Sequence, residues 1–279
     1  MFSIANQGLS VTIILGLCRF HGLDELIASL VDSLFTCTSV SRAYIYIMMG
    51  KSHAATGLAV GAGIGVAVFG LNSPSWLIPT VAVCGAAILP DIDEPGSTVS
   101  REFGLVSEAF SFVVNKIAGG HRKLTHSLLG VGIVLVLLWL FSTNKEGSAI
   151  LFGLLAASAW RIVIPWCLRL RRLFILAGVG GGLMFYHANL ISGLWLVALV
   201  GVGWLVHMAG DYLTRGGIPL LYPKKEGFSL SIFGTTGSKL ETLFAAVLYL
   251  SVFVTLGLWF SHYSYGAQFT HFVSAKLGR

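Results

Sequence analysis

Apolar residues fall in blocks along this chain, and short polar connections separate them. From residue 50 onward the blocks predict helices at about 54–70, 75–90, 124–142, 148–168, 173–187, 193–212 and 241–261. Several are shorter than the ~20 residues of a straight membrane span, so the first two also fit a single hairpin. Gly57, Gly61, Gly63 and Gly65 give the first block a small face suited to close helix packing. Between the second and third blocks, Phe103, Val106, Phe110, Val113, Val114 and Ile117 recur at helical spacing. They predict an amphipathic surface helix over 97–118. A second long connection, 215–240, is rich in Gly and Pro and carries Tyr222-Pro223-Lys224-Lys225. Residues 1–48 differ. Their apolar run, Ile13–Phe20, is too short to span, and 24–35 reads as amphipathic. The expected organisation is an N-terminal extension or interfacial segment (1–48), a membrane-embedded domain (49–262) and a tail (263–279).

Composition sharpens the class. Of 279 residues, 55% are hydrophobic and 11% charged, against about 25% charged in soluble domains. Mean hydropathy is +0.82. The expected fold is an all-α polytopic membrane protein with six or seven membrane-embedded helices and one surface amphipathic helix. The net charge of +6 does not point to nucleic acid, because no basic stretch is interleaved with aromatics. Alternate connections carry twelve Lys and Arg on one side and three on the other. That asymmetry assigns the richer side to the cytoplasm. Cys18, Cys37, Cys84 and Cys167 lack CxxC spacing and read as free thiols.

Candidate chemistry lies at the block ends on that basic side: His53, Asp91, Asp93, His121, His126, His207 and Asp211. Ionisable groups beside lipid are costly and mark a site. His207 and Asp211, four apart, share a helix face. Asp91 and Asp93 follow Pro90; in an extended chain they point the same way and repel unless bridged by a cation. Ser97 is the better candidate to cap the next helix. His121 and His126 fit a loop ligand followed by a ligand in the first turn of the next helix. Arg122 and Lys123 between them suit an anionic substrate. Thr214 either orients Asp211 or meets a ligand oxygen. His53 alone is as consistent with a cap as with a ligand. His187, His262 and His271 fall on the opposite side, and His21 in the N-terminal segment; these read as structural. Imidazole with carboxylate suits zinc, manganese or iron, and seven ligands allow one to three ions.

The segments KSHAATG, LPDIDEPGS, HRKLTHS and HMAGDYLTRGGIPLLYP, in this order, resemble the YdjM-type family of membrane-bound, metal-dependent hydrolases of the bacterial inner membrane. The resemblance covers roughly 49–260. It matches His53, Asp91, Asp93, His121, Arg122, Thr125, His126, Ser127, His207, Asp211 and Thr214 to the family motifs. Glu94 stands where a His is common and Lys123 where a small residue is common. The family is distantly similar to zinc-dependent phospholipase C and zinc nucleases. The expected function is metal-dependent hydrolysis of a phosphoester in a membrane lipid or lipid-linked substrate. Asp93 or Glu94 would accept the proton, and Arg122 and Lys123 would hold the phosphate. The alternative is a non-catalytic metal-binding transporter, sensor or scaffold, for which Arg161, inside the fourth block, would line a pathway. Substrate identity and oligomeric state stay open.

Overall fold

A computed structural model describes residues 42–163, 171–187, 189, 192–224 and 226–262. Cys18, Cys37, Cys167, His21 and His271, with most of the N-terminal segment and the whole tail, lie outside the described residues. Eight α-helices occur among those described: α1 (Arg42–Phe69), α2 (Leu77–Ala86), α3 (Leu105–Ala118), α4 (Leu128–Phe141), α5 (Lys145–Val163), α6 (Arg171–His187), α7 (Gly193–Tyr212) and α8 (Lys239–His262). No strand forms among the described residues; two isolated bridges, Thr214–Gly234 and Ile218–Phe228, tie the loop after α7. Five segments are long and apolar enough to cross a membrane: Gly50–Phe69, Pro74–Asp93, Lys145–Val163, Gly193–Tyr212 and Lys239–Ser261. The protein is an all-α polytopic membrane protein.

Helix α2 is the centre of the bundle, and its neighbours reach it through missing side chains. Gly57 and Gly61 of α1 are four apart on one face; a Cβ on Gly61 would lie 2.6 Å from the Pro79 carbonyl oxygen. Gly65 continues the seam against Trp76. Gly63, two residues from either neighbour and so on another face, meets nothing and takes no part. Gly203 of α7 packs on Val83 and Ala86, and Gly85 of α2 on the Leu155 backbone of α5. Such close backbone approach is how helices associate in a membrane, where lipid removes the hydrophobic drive. The core follows from it: Ile78, Val83, Leu155, Leu196 and Val200 are buried together. Helices α4 and α8 instead turn apolar side chains outward, among them Ile133, Leu137, Leu250 and Phe253, as lipid-facing helices do.

Three local expectations change. The segment Leu89–Asp93 is a 3₁₀ helix, not extended chain. Pro90 stands in its first turn, where a missing N–H costs nothing. In that geometry Asp91 and Asp93 point apart. The surface helix starts at Leu105 rather than 97. Ser97 therefore does not cap it; its hydroxyl binds the Asp91 carbonyl at 2.8 Å and accepts from Ser100 N–H at 3.1 Å. Thr214 donates to the backbone carbonyl of Asp211 at 2.8 Å, not to its carboxylate. Arg161 donates to the Arg101 carbonyl at 2.7 Å and pairs with the buried Glu102 at 3.3 Å.

Candidate metal centre

His207 and Asp211 lie on one face near the C-terminus of α7, and both are fully buried. His207 Nδ1 is 2.8 Å from the Ala87 carbonyl oxygen at the end of α2. A carbonyl only accepts, so Nδ1 carries the proton and a neutral ring keeps its lone pair on Nε2. That lone pair faces His126 Nε2 at 3.1 Å, Asp91 Oδ1 at 3.5 Å and Asp211 Oδ2 at 3.7 Å.

His126 sits in a 3₁₀ turn, Leu124–His126, just before α4, which Ser127 caps by accepting from Gly130 N–H. The Thr125 hydroxyl donates to Asp93 Oδ2 and lies 2.9 Å from His126 Nδ1. The hydroxyl's one proton is thereby committed, so Nδ1–H is the donor to Thr125 Oγ1. His126 Nε2 is then also a lone pair. Two lone pairs thus face each other at 3.1 Å. Beside them, Asp211 Oδ2 is buried without a hydrogen-bond partner, 3.4 Å from His126 Nε2. Asp91 Oδ1 is 4.0 Å from the same nitrogen. Four potential ligand atoms from three regions of the chain lie around the two facing imidazoles, and no N–H or O–H is directed at Asp211 Oδ2. A buried set of that kind is unfavourable unless a cation fills it. Two imidazoles and two carboxylates fit a first-row divalent ion.

Asp93 is differently placed. Its buried carboxylate accepts from His121 Nδ1–H at 2.7 Å, from Arg122 N–H at 3.2 Å and from Thr125. Burial disfavours the charged form of His121, but its hydrogen bond to Asp93 and that residue's negative charge outweigh burial and raise its pKa. His53 lies inside α1, stacked on His207 with ring centroids 3.8 Å apart, and its Nε2 is 3.5 Å from Asp211 Oδ1. It comes this close because Gly210 has no side chain; a Cβ there would be 2.8 Å from the His53 ring.

All seven histidines and aspartates proposed from the sequence fall into three groups whose atoms could hold a metal ion: His53, His207 and Asp211; Asp91, His126 and His207; Asp93, His121 and His126. His126 and His207 are each shared, so the groups are not three independent sites. Arg122, with φ of 57°, turns its guanidinium onto Asp211 Oδ1 at 2.7 Å. Lys123 is exposed and lies along Gly119 and Gly120. Glu94 is 3.9 Å from His121, and both line a cleft with Asp91, Gly50, Ile88 and Ile162.

A family model described as YdjM inner membrane protein matches residues 48–273. The chain belongs to this family. It is 27% identical over 176 residues to "Inner membrane protein YdjM" of Escherichia coli (strain K12), and equally so to the protein of that name in Shigella flexneri. The alignment covers 63% of this chain and 64% of each relative's length. No solved structure gives a significant match.

In this YdjM-family chain, several contributors to the site carry no metal-ligand signal in the sequence. The Ala87 carbonyl is backbone and cannot be read from residue type. Thr125 stood in a matched motif with no role attached. Trp204 Nε1 donates to the Thr125 carbonyl at 2.8 Å and braces the turn that holds His126. Asn115 of α3 donates to the Asp93 carbonyl at 2.6 Å, tying the surface helix to the site.

Proposed function

We propose that this chain is a multi-pass inner-membrane hydrolase that uses a divalent ion, zinc being the best fit, to cleave a phosphoester in a lipid or lipid-linked substrate. The carboxylates of Asp91 and Asp211 both flank the facing Nε2 atoms of His126 and His207, and Asp211 Oδ2 has no hydrogen-bond partner; this is the observation that carries the reading. Those four residues would hold the ion. His53 stacks on His207, and its ring runs nearly parallel, 23° off; lone pairs in parallel planes do not converge well, so His53 supports rather than completes the set. Asp93 and Thr125 fix the tautomer and orientation of His126, as outer partners of metal-bound imidazoles do.

When bound, the ion supplies Lewis acidity at a phosphoryl oxygen and makes water acidic near neutral pH. Glu94, on the cleft wall beside Asp91, is the carboxylate placed to take a proton from water. Arg122 holds Asp211 in position, and its charge with that of Lys123 favours an anionic substrate. The relatives' printed name supports inner-membrane residence, and the Lys and Arg asymmetry of the sequence favours the cytoplasmic face for the site. Donor residues at the ends of spans favour surface chemistry over transport, which places ion sites near the midplane.

Elemental analysis of the purified protein, followed by a hydrolysis screen over phospholipids and prenyl phosphates with and without chelator, tests the proposal. The expected result is bound metal and a chelator-sensitive hydrolysis that restored metal recovers. Metal retention without hydrolysis, with metal uptake into proteoliposomes, would replace the proposal with a transporter.

A further inference from the structure

The surface helix α3 is packed the opposite way round from a helix on a water-soluble protein, which turns its apolar stripe inward. Its buried residues are Ser107, Ser111 and Ala118. Leu105, Val106, Phe110, Phe112, Val113 and Ile117 point away from the protein and are 51–84% exposed. At about 100° per residue, these six fill an arc of about 160° on the side opposite the buried serines. Lys116 falls inside this arc. Its Nζ lies 5.4 Å from the centre of the Phe112 ring, so its stem covers apolar surface while the ammonium can turn outward.

Both ends of α3 are fastened at one level of the bundle. Asn115, in its last turn, donates to the carbonyl of Asp93, where the candidate span Pro74–Asp93 ends. Glu102, just before its start, pairs with Arg161, whose neighbour Ile162 lines the same cleft as Asp91 and His121. The helix therefore runs along the metal-site end of the bundle. Its 14 residues reach about 21 Å, short of the ~30 Å hydrocarbon core, so it does not cross. At its C-terminal end, a Cβ on Gly119 would meet Lys123 at 3.6 Å and the Tyr222 hydroxyl at 3.8 Å; Lys and Tyr are residues that settle at head-group level. We infer that α3 lies in the plane of the membrane, with its outward apolar side chains sunk in the leaflet on the metal-site side and Lys116 and Lys123 at the lipid phosphates. A second copy of the chain on this face would instead bury Lys116 among apolar groups, which is costly. One side of α3 then holds the Leu89–Asp93 turn and the other holds the bilayer. The inference goes beyond the proposed hydrolysis and does not depend on it.

The test uses the full chain in proteoliposomes of phosphatidylcholine and phosphatidylglycerol, a fraction of them carrying a photoreactive group near the start of one acyl chain. Mass spectrometry locates the label. It is expected on α3, at Val106, Phe110, Val113 or Ile117, and also at Leu240 or Leu243, exposed at the start of α8, which serve as the internal standard. Phe110→Glu combined with Val113→Glu should lower the label on α3 at least tenfold and leave α8 unchanged. Both side chains point away from the protein, so the melting temperature in detergent should stay at the wild-type value. Hydroxyl-radical oxidation of Phe110 and Phe112 gives a reading that needs no variant; in wild-type proteoliposomes it should run at least tenfold slower than in the denatured chain. Label on α8 without label on α3, equal label on α3 in the glutamate variant, or oxidation of Phe110 and Phe112 as fast as in the denatured chain overturns the inference. Cross-links joining α3 to α3 of a second copy would overturn it in favour of a protein interface.

Discussion

Replacing Asp211 by Asn separates the carboxylate's two jobs. Asp211 Oδ1 accepts from Arg122 at 2.7 Å, while Oδ2 is buried without a donor, 3.4 Å from His126 Nε2 and 3.7 Å from His207 Nε2. Asn keeps an oxygen for Arg122 and turns an N–H₂ group toward the two imidazole lone pairs. In the metal-free protein this supplies the missing donor, and a buried polar atom left unpaired costs ~1–3 kcal/mol. The same change removes an anionic ligand and puts protons where the ion belongs. Wild-type protein at a hundredfold excess of zinc over Kd should gain about 2.7 kcal/mol. At about 2–4 °C per kcal/mol for a chain this size, the melting temperature should rise by about 5–10 °C. The Asn variant should show a shift of about 1 °C or less on the same scale and should purify without metal. Thermal unfolding in detergent with and without chelator reads the first quantity, and elemental analysis the second. An equal zinc-dependent shift in both proteins would refute the convergence of lone pairs as the reason for binding.

Other consequences follow from neighbouring contacts. Thr125→Val keeps the shape but breaks the bridge from His126 to Asp93; chelator competition should show metal affinity falling ~10–100-fold, with Thr125→Ser close to wild type. Gly61→Val forces α1 from α2, because its Cβ would lie 2.7 Å from Thr80 Cα; it should destabilise by ~1–3 kcal/mol, while Gly63→Val, facing open space, should change little in the same unfolding assay. The raised pKa of His121 gives a pH signature in metal-free protein. Stability from its protonated ring is complete below the ordinary histidine value of 6.5 and is lost as pH rises through the higher folded value. The difference in melting temperature between wild type and His121→Asn should therefore shrink as pH rises above 6.5.

The sequence was informative wherever residue type and helical period decide the outcome. His207 and Asp211 share a face because they are four apart, and Gly57, Gly61 and Gly65 share one for the same reason. The Lys and Arg asymmetry grouped His53, Asp91, His126 and Asp211 before any contact was visible, and the structure brings these residues together. Arg161 stood out as a charge inside an apolar block, but its partner Glu102 lies 59 residues away, and no local pattern announces such a pairing.

What stayed hidden is what backbone geometry decides. An X-Pro step suggested extended chain at Leu89-Pro90-Asp91, yet proline is also at home in a first helical turn, and the 3₁₀ form won. The chemical result is large. Extended chain would have offered two carboxylates to one ion. The 3₁₀ turn instead sends Asp91 to the Nε2 side of His126 and Asp93 to its Nδ1 side, so in the proposed metal site one aspartate would face the ion while the other holds the imidazole that would bind it. Under the proposed function, the motif LPDID would thus provide a ligand and its support from residues two apart. Exchanging the two roles would need only a change of backbone twist, which is why sequence spacing alone could not assign them.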